Sequence, residues 1–114
     1  MGHWAAHQFG MCLGWEDEEC VGWSVLQHTI AAGFSEVEIG WTVASARWGQ
    51  GVGTELGQHA LDRARGLGLR SIIAYARVDN GASRRIMEKL GLSYERDFEH
   101  AGRPHALYRR LLGA

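Results

Sequence analysis

The 114-residue chain is poor in the features that mark several large protein classes. No stretch approaches the ~18 apolar residues of a membrane-spanning helix, and residues 1–10 lack the basic start and apolar core of a secretory signal. The expected location is the cytoplasm, with no membrane partner. Charge of one sign is also scarce: 12 basic residues face 13 acidic ones, for a net −1, so the electrostatic footprint of a nucleic-acid binder is missing. There are only two cysteines. If residues 9–16 and 19–28 form a hairpin around Asp17 and Glu18, Cys12 faces Trp23 and Cys20 faces Trp15, too far apart to bridge. The six histidines are scattered; His3 and His7 share a helical spacing but lack a third ligand nearby, so no metal site is expected. No Gly-Lys pair occurs, which removes the nucleoside-triphosphate loop. Without a linker, repeat or low-complexity tract, residues 1–114 read as one small domain.

What is present is a change of period. Phe9, Met11, Leu13 and Trp15 alternate with small residues, then Val21, Trp23 and Val25 alternate after an acidic turn at Glu16 to Glu19. A loop at Ala31, Ala32 and Gly33 precedes a third alternating run, Val37, Ile39, Trp41 and Val43. Residues 54–67 then place Leu56, Ala60, Leu61, Ala64 and Leu67 on one helical face, with Gly66 and Gly68 ending the helix. Residues 71–78 are apolar on both faces, which predicts a central strand covered by the preceding helix on one side and the following helix on the other. Asp79 or Asn80 can cap that second helix, whose Ile86, Met87 and Leu90 face inward and which Gly91 and Leu92 terminate. Residues 94–99 and 105–111 predict a closing hairpin.

Between the third strand and the first helix lies Trp48-Gly49-Gln50-Gly51-Val52-Gly53-Thr54-Glu55. Bare glycine backbone lets N–H groups approach an anion closely, and the helix that follows adds the positive end of its dipole. This is a phosphate cradle. A dinucleotide fingerprint started at Gly51 would find Leu56 at its third glycine, although Asp79 falls where a ribose-binding acid could sit. The 35 residues after Asp79 are too few to complete two mononucleotide-binding halves, so a nicotinamide-dinucleotide-binding fragment stands only as an alternative.

Three ordered segments, Glu38-Ile39-Gly40-Trp41, the glycine loop of residues 48–55, and Asn80-Gly-Ala-Ser83 running to Glu88-Lys89-Leu90-Gly91, resemble the GNAT superfamily of acyl-CoA-dependent N-acetyltransferases. The similarity covers residues 10–112 and is greatest to the ribosomal-protein N-terminal-acetyltransferase-like branch. It implies an α+β fold: a mixed, mostly antiparallel sheet with two helices, holding acyl-CoA between two splayed strands. It implies acetyl-CoA as co-substrate and no metal. The pyrophosphate would lie over the N–H groups of Gln50, Gly51, Val52, Gly53 and Thr54, beside Trp48 and Gly49. Trp48 stands where the family often has Gln or Arg. The pantetheine arm would run between the Glu38 strand and residues 71–78, past Trp41, Thr42 and Val43, to Asn80 and Ser83. Asn80 can serve as pantetheine contact, helix cap or both.

The resemblance also implies roles. Glu38 is the candidate base for the amine, and a strand-edge glutamate pairing with a surface arginine is the alternative. Backbone N–H groups near Thr42 or Val43 would polarise the thioester. Many relatives carry a tyrosine four residues before Gly91; Met87 stands there, leaving Ser83 and Tyr108 as candidate proton donors. Ser83 could equally just open its helix, and Tyr108 could be a packed aromatic. Arg84 and Arg85 could meet CoA phosphates or stay solvated. The chain begins just before the second strand of a GNAT domain, which predicts an abbreviated acceptor side covered by a second copy in a homodimer. Three functions follow: N-acetyltransferase acting on a primary amine, at a protein N-terminus or on a small molecule; acyl-CoA-binding module with little catalysis; or the dinucleotide-binding fragment.

Overall fold

The computed structural model describes residues 11–16, 19–43 and 51–113, with side chains from Gly22 onward. The strands are β1 (Met11–Glu16), β2 (Glu19–Ala31), β3 (Phe34–Val43), β4 (Ser71–Arg77), β5 (Ser93–His100) and β6 (Arg103–Leu111), with helices α1 (Val52–Gly66) and α2 (Gly81–Lys89) on either side of β4 in sequence. They form one six-stranded sheet in the order β1-β2-β3-β4-β6-β5. Among the described strands β3–β4 is the one parallel pair. This mixed sheet lacks the parallel mononucleotide-binding halves that the dinucleotide alternative requires.

Both long hairpins close on an Ala-Gly pair. Ala31 pairs with Phe34 across Ala32 (φ 52°) and Gly33 (φ 87°), and His100 pairs with Arg103 across Ala101 (φ 52°) and Gly102 (φ 75°). Positive φ at both central positions is the turn whose twist matches two-residue hairpins. In the β1–β2 hairpin Cys12 pairs with Trp23 and Trp15 with Cys20, as a hairpin around Asp17 and Glu18 predicts, with the register slipping at Gly14, which pairs with Gly22.

Helix α1 buries Gly53, Leu56, Gly57, Ala60, Leu61 and Ala64, a stripe at helical spacing. Leu67, expected on that stripe, is instead the C-cap and is 56% exposed, because Gly68 (φ 75°) turns the chain away. Leu61 and Ala64 meet Leu26, Ile39, Ile72, Ala74, Met87 and Leu90 in a single cluster, so α1 and α2 cover the same sheet face. Leu61→Ala would open a cavity there and cost about 2–5 kcal/mol. The expectation that one helix covers each face of β4 is thereby corrected. Its second apolar face is buried without a helix: Ile73 packs with Ala31 and Leu107, flanked by Tyr75 and Phe98. Strand β6 also inserts between β4 and β5, since antiparallel pairing with β4 from Ser71–Leu111 to Arg77–His105 gives that central strand a second neighbour.

Candidate active site

Strands β3 and β4 share one registered pair, Glu38 with Ile73. Beyond it they diverge, and two cavities occupy the splay. The larger, of about 570 Å³, is bounded by Trp41, Thr42 and Val43 from β3, by Gly51, Val52, Gly53 and Thr54 at the start of α1, and by Asn80, Ala82, Ser83, Arg85, Ile86 and Lys89 on α2. The smaller, of about 220 Å³, contains Glu38, Gln27, Tyr75 and Met87 and shares Trp41, Thr42 and Ser83 with the first.

The N-terminus of α1 borders the larger cavity without a side-chain cap. Gly51 is its N-cap at φ 81° and offers no side chain to cap it, so the first-turn N–H groups lack the partner a serine or aspartate would supply. The helix dipole adds positive potential at that end. Gly53 has a further role. A Cβ there would come within 2.8 Å of Ile86 Cδ1, and at Gly57 within 2.5 Å of Leu90 Cδ1 and 3.0 Å of the Trp41 ring. The two glycines, one turn apart, let α1 press against α2 and Trp41, which sets the cavity's width. Trp48, Gly49 and Gln50 lie outside the described residues.

Glu38 shares its strand face with Glu36, Gly40 and Thr42, away from the helices. Burial raises its carboxyl pKa above the ordinary value; Gln27 Nε2, which donates to Oε1 at 3.1 Å, His100 and Tyr75 offset part of that rise. The arginine pairing weighed for Glu38 falls to its neighbour. Arg109 Nη2 and Nη1 donate to the two oxygens of Glu36 at 2.6 and 3.0 Å, and Arg109 Nε donates to Glu95 at 2.7 Å.

Asn80 caps α2, its Oδ1 accepting from Ser83 N at 3.1 Å, while the residue also lines the larger cavity. Ser83 lies where both cavities meet. Tyr108 lies elsewhere: its side chain is buried on the helix side of β6, its hydroxyl accepts from Arg84 Nε at 3.1 Å and reaches Glu88 at 3.5 Å, and it lines neither cavity. Arg84 also donates to the Val78 carbonyl at 2.8 Å, so it braces α2 against the sheet, and of the adjacent arginines Arg85 faces the larger cavity. Asp79 pairs with Arg77 at 2.9 Å and lines neither cavity.

Sequence reasoning missed Ala82, Ile86 and Lys89, which with Arg85 make one helical stripe at i, i+3, i+4 and i+7. It also missed Gln27 and Tyr75. The first was accessible from the hairpin register, which sets Gln27 opposite Glu38; the second needed the long-range β3–β4 pairing.

The geometry agrees with comparisons to known proteins. A family model of the acetyltransferase (GNAT) domain matches residues 1–93. A Bordetella pertussis protein described as a GnaT-family acetyltransferase is 29% identical, with a TM-score of 0.81 over 96% of this chain and 70% of its own. The yncA protein of Salmonella typhimurium, solved with its cofactor acetyl-CoA, is 23% identical, with a TM-score of 0.73 over 87% of this chain and 62% of its own. The ribosomal-protein-S5-alanine acetyltransferase of Vibrio fischeri shares the fold at 18% identity and a TM-score of 0.72, over 83% of this chain and 56% of its own. With the family match spanning most of its length, the chain belongs to the GNAT acetyltransferase family.

Proposed function

We propose that this chain is an acetyl-CoA-dependent N-acetyltransferase that moves the acetyl group directly to a primary amine. The observation that carries the reading is the meeting of the two cavities at Trp41, Thr42 and Ser83, which brings a desolvated carboxylate next to a cleft that starts at an uncapped helix N-terminus. In this reading the pyrophosphate takes the amides of Gly51 to Thr54, and the pantetheine arm follows β3 past Trp41 and Thr42 to Asn80 and Ser83. An amide at Thr42 or Val43 polarises the thioester carbonyl. Glu38 receives the proton of the attacking amine, and its raised pKa suits a base working near neutrality. Acetyl-CoA supplies an activated acyl group; the protein supplies orientation, a base and the oxyanion donor.

The acceptor is read as a protein N-terminus or a small-molecule amine, reaching Glu38 from the sheet face opposite α1 and α2. A second copy of the chain is the proposed cover for that face, where Trp23, Phe34 and Leu111 remain 45, 59 and 73% exposed. The binding-module reading rests on Met87, which lines the smaller cavity and stands where the resemblance implies a proton-donating tyrosine, and on the abbreviated acceptor side. Thermal unfolding with acetyl-CoA or NADH tests the cofactor by mass action. Release of CoA thiol across a panel of amines then tests catalysis. A midpoint raised by acetyl-CoA and thiol release abolished in Glu38→Gln are expected; thiol release from no amine rejects the enzyme.

A further inference from the structure

The Glu38–Ile73 register places Tyr75 one step further along β4, on the sheet face that carries Glu38. Both line the 220 Å³ cavity, together with Ser83 and Met87. The phenol interacts with Glu38 and with Thr29. Its ring is held in place by Phe98 at a centroid distance of 5.3 Å, edge to face, by His100 at 5.0 Å and by His105 at 6.0 Å.

We propose that Tyr75 is the proton donor to the departing thiolate and that, with Glu38, it forms a one-proton shuttle across the cleft. The inference rests on the acetyl-transfer reading above. As the amine nitrogen bonds to the carbonyl carbon, its proton passes to the Glu38 carboxylate. The carbon–sulfur bond breaks, and the sulfur takes the phenolic proton. The phenolate then recovers a proton from the Glu38 carboxyl, which returns to carboxylate. One proton leaves the amine and one reaches sulfur, so the cycle needs no external acid.

Acid strength decides between Tyr75 and Ser83. A thiol ionises near about 8.5 and a phenol near about 10, so the transfer is closely matched; an aliphatic hydroxyl is a far weaker acid and a poorer donor. Burial raises the Tyr75 phenol further, and the Glu38 charge adds to that rise; this widens the gap to the thiol but leaves the phenol a stronger acid than an aliphatic hydroxyl. The Tyr108 hydroxyl is engaged by Arg84 and Glu88 outside the cleft.

The test compares wild type, Tyr75→Phe and Ser83→Ala with acetyl-CoA and a panel of a dipeptide amide, spermidine and 2-phenylethylamine, as full pH profiles. Phenylalanine keeps the ring that packs on Phe98 and His100. The titratable groups facing Tyr75 are Glu38, His100 and His105. Expected for Tyr75→Phe is a kcat lower by about 10²–10³-fold, a KM for acetyl-CoA within about twofold, and loss of the basic limb that Ser83→Ala retains. A Tyr75→Phe enzyme with wild-type kcat, or with lowered kcat and an unchanged basic limb, overturns the shuttle alone. Loss of that limb in Ser83→Ala assigns the proton to Ser83 and also overturns it. A wild type silent on every amine overturns the acetyl-transfer reading itself.

Discussion

Gln27 and Glu38 sit directly opposite each other on β2 and β3, and the Gln27 amide donates to the Glu38 carboxylate at 3.1 Å in the wall of the smaller cavity. The bond aims the carboxylate at the cleft and partly offsets the cost of burying its charge. Glu38→Gln preserves an oxygen for Gln27 but removes the proposed base. The expected kcat loss is about 10²–10⁴-fold with acetyl-CoA affinity retained, read by thiol release and by calorimetric titration. Stability moves the other way. Burial raises the folded-state pKa of Glu38, so its favourable contribution belongs to the protonated form and is lost as pH rises through the folded value. Glu38→Gln, which mimics that form, should therefore unfold at a higher temperature than wild type at pH 7 and at the same temperature in acid below both pKa values.

Glycines at the cleft separate binding from packing. Gly51 has open space around it but sits at φ 81°, so Gly51→Ala meets backbone strain of about 1–2 kcal/mol and should distort the anion cradle. Gly57 has helical geometry but no room: its Cβ would press on Leu90 and on the Trp41 ring. Gly57→Ala should lower the unfolding midpoint by an amount equivalent to about 1–3 kcal/mol. Acetyl-CoA titrations and thermal melts of the two variants should thus rank them in opposite order, Gly51→Ala losing more affinity and Gly57→Ala more stability.

The hairpin turns leave stability to be gained. Ala101 holds φ 52° beside Gly102, a position at which asparagine is preferred over alanine. Ala101→Asn should raise stability by about 0.5–1 kcal/mol without altering kinetics, checked by denaturant unfolding. Ala32→Asn, beside Gly33, should do the same.

Local signals in the sequence reached most of this fold, and long-range pairing accounts for what they missed. Alternation and the acidic turn gave the Cys12–Trp23 and Trp15–Cys20 pairs but not the slip at Gly14, and cap chemistry carried Asn80 and the Gly91 stop, where Leu92 N donates to the Met87 carbonyl at 3.0 Å. The apolar tract of β4 announced a central strand, but nothing local says that β6 rather than β5 lies beside it. Nor does a doubly apolar strand say whether helices or neighbouring side chains cover each face; here Ile73 found Leu107 and Ala31 instead of a helix. For the same reason the sequence does not place Tyr108: its facing depends on β6 register, which turns its hydroxyl toward Arg84. Most of the larger cavity was legible because the glycine loop and the Asn80–Ser83 helix are contiguous motifs, whereas the smaller cavity is assembled from residues of β2, β3, β4 and α2 that are far apart in sequence.

Lys89, the chain's only lysine, and Arg85 are one turn apart on the face of α2 that borders the larger cavity. Both are exposed, so their attraction to an anionic cofactor is screened and modest. Lys89→Ala and Arg85→Ala should each weaken acetyl-CoA binding by roughly two- to fivefold at low salt, on the scale of about 0.2–1 kcal/mol for exposed charge pairs. Titrations at low salt and at 0.5 M salt check this, with the difference from wild type shrinking at the higher concentration.

Arg109 ties the end of the sheet together through one guanidinium. It holds Glu36 of β3 with two bonds, Glu95 of β5 through Nε, and Ser71 of β4 at 2.8 Å, while itself lying on β6. The planar fork matches the Glu36 carboxylate in a way that an ammonium cannot, so Arg109→Lys should recover little of what Arg109→Met loses. Removing the charge strands two carboxylates, of which Glu36 has only 16% of its side chain exposed, and should cost about 1–3 kcal/mol. Hydrogen bonding to Arg109 lowers the Glu95 pKa, so the stability from this contact is present above the ordinary carboxylate range and is lost as pH falls through the lowered folded value. Denaturant unfolding of wild type and Arg109→Met between pH 3 and 8 should show a gap that is wide at neutral pH and narrows in acid. A gap independent of pH would mean that Arg109 acts through the packing of its stem, and that the Glu36–Arg109–Glu95 bridge contributes little to holding β3, β5 and β6 in place.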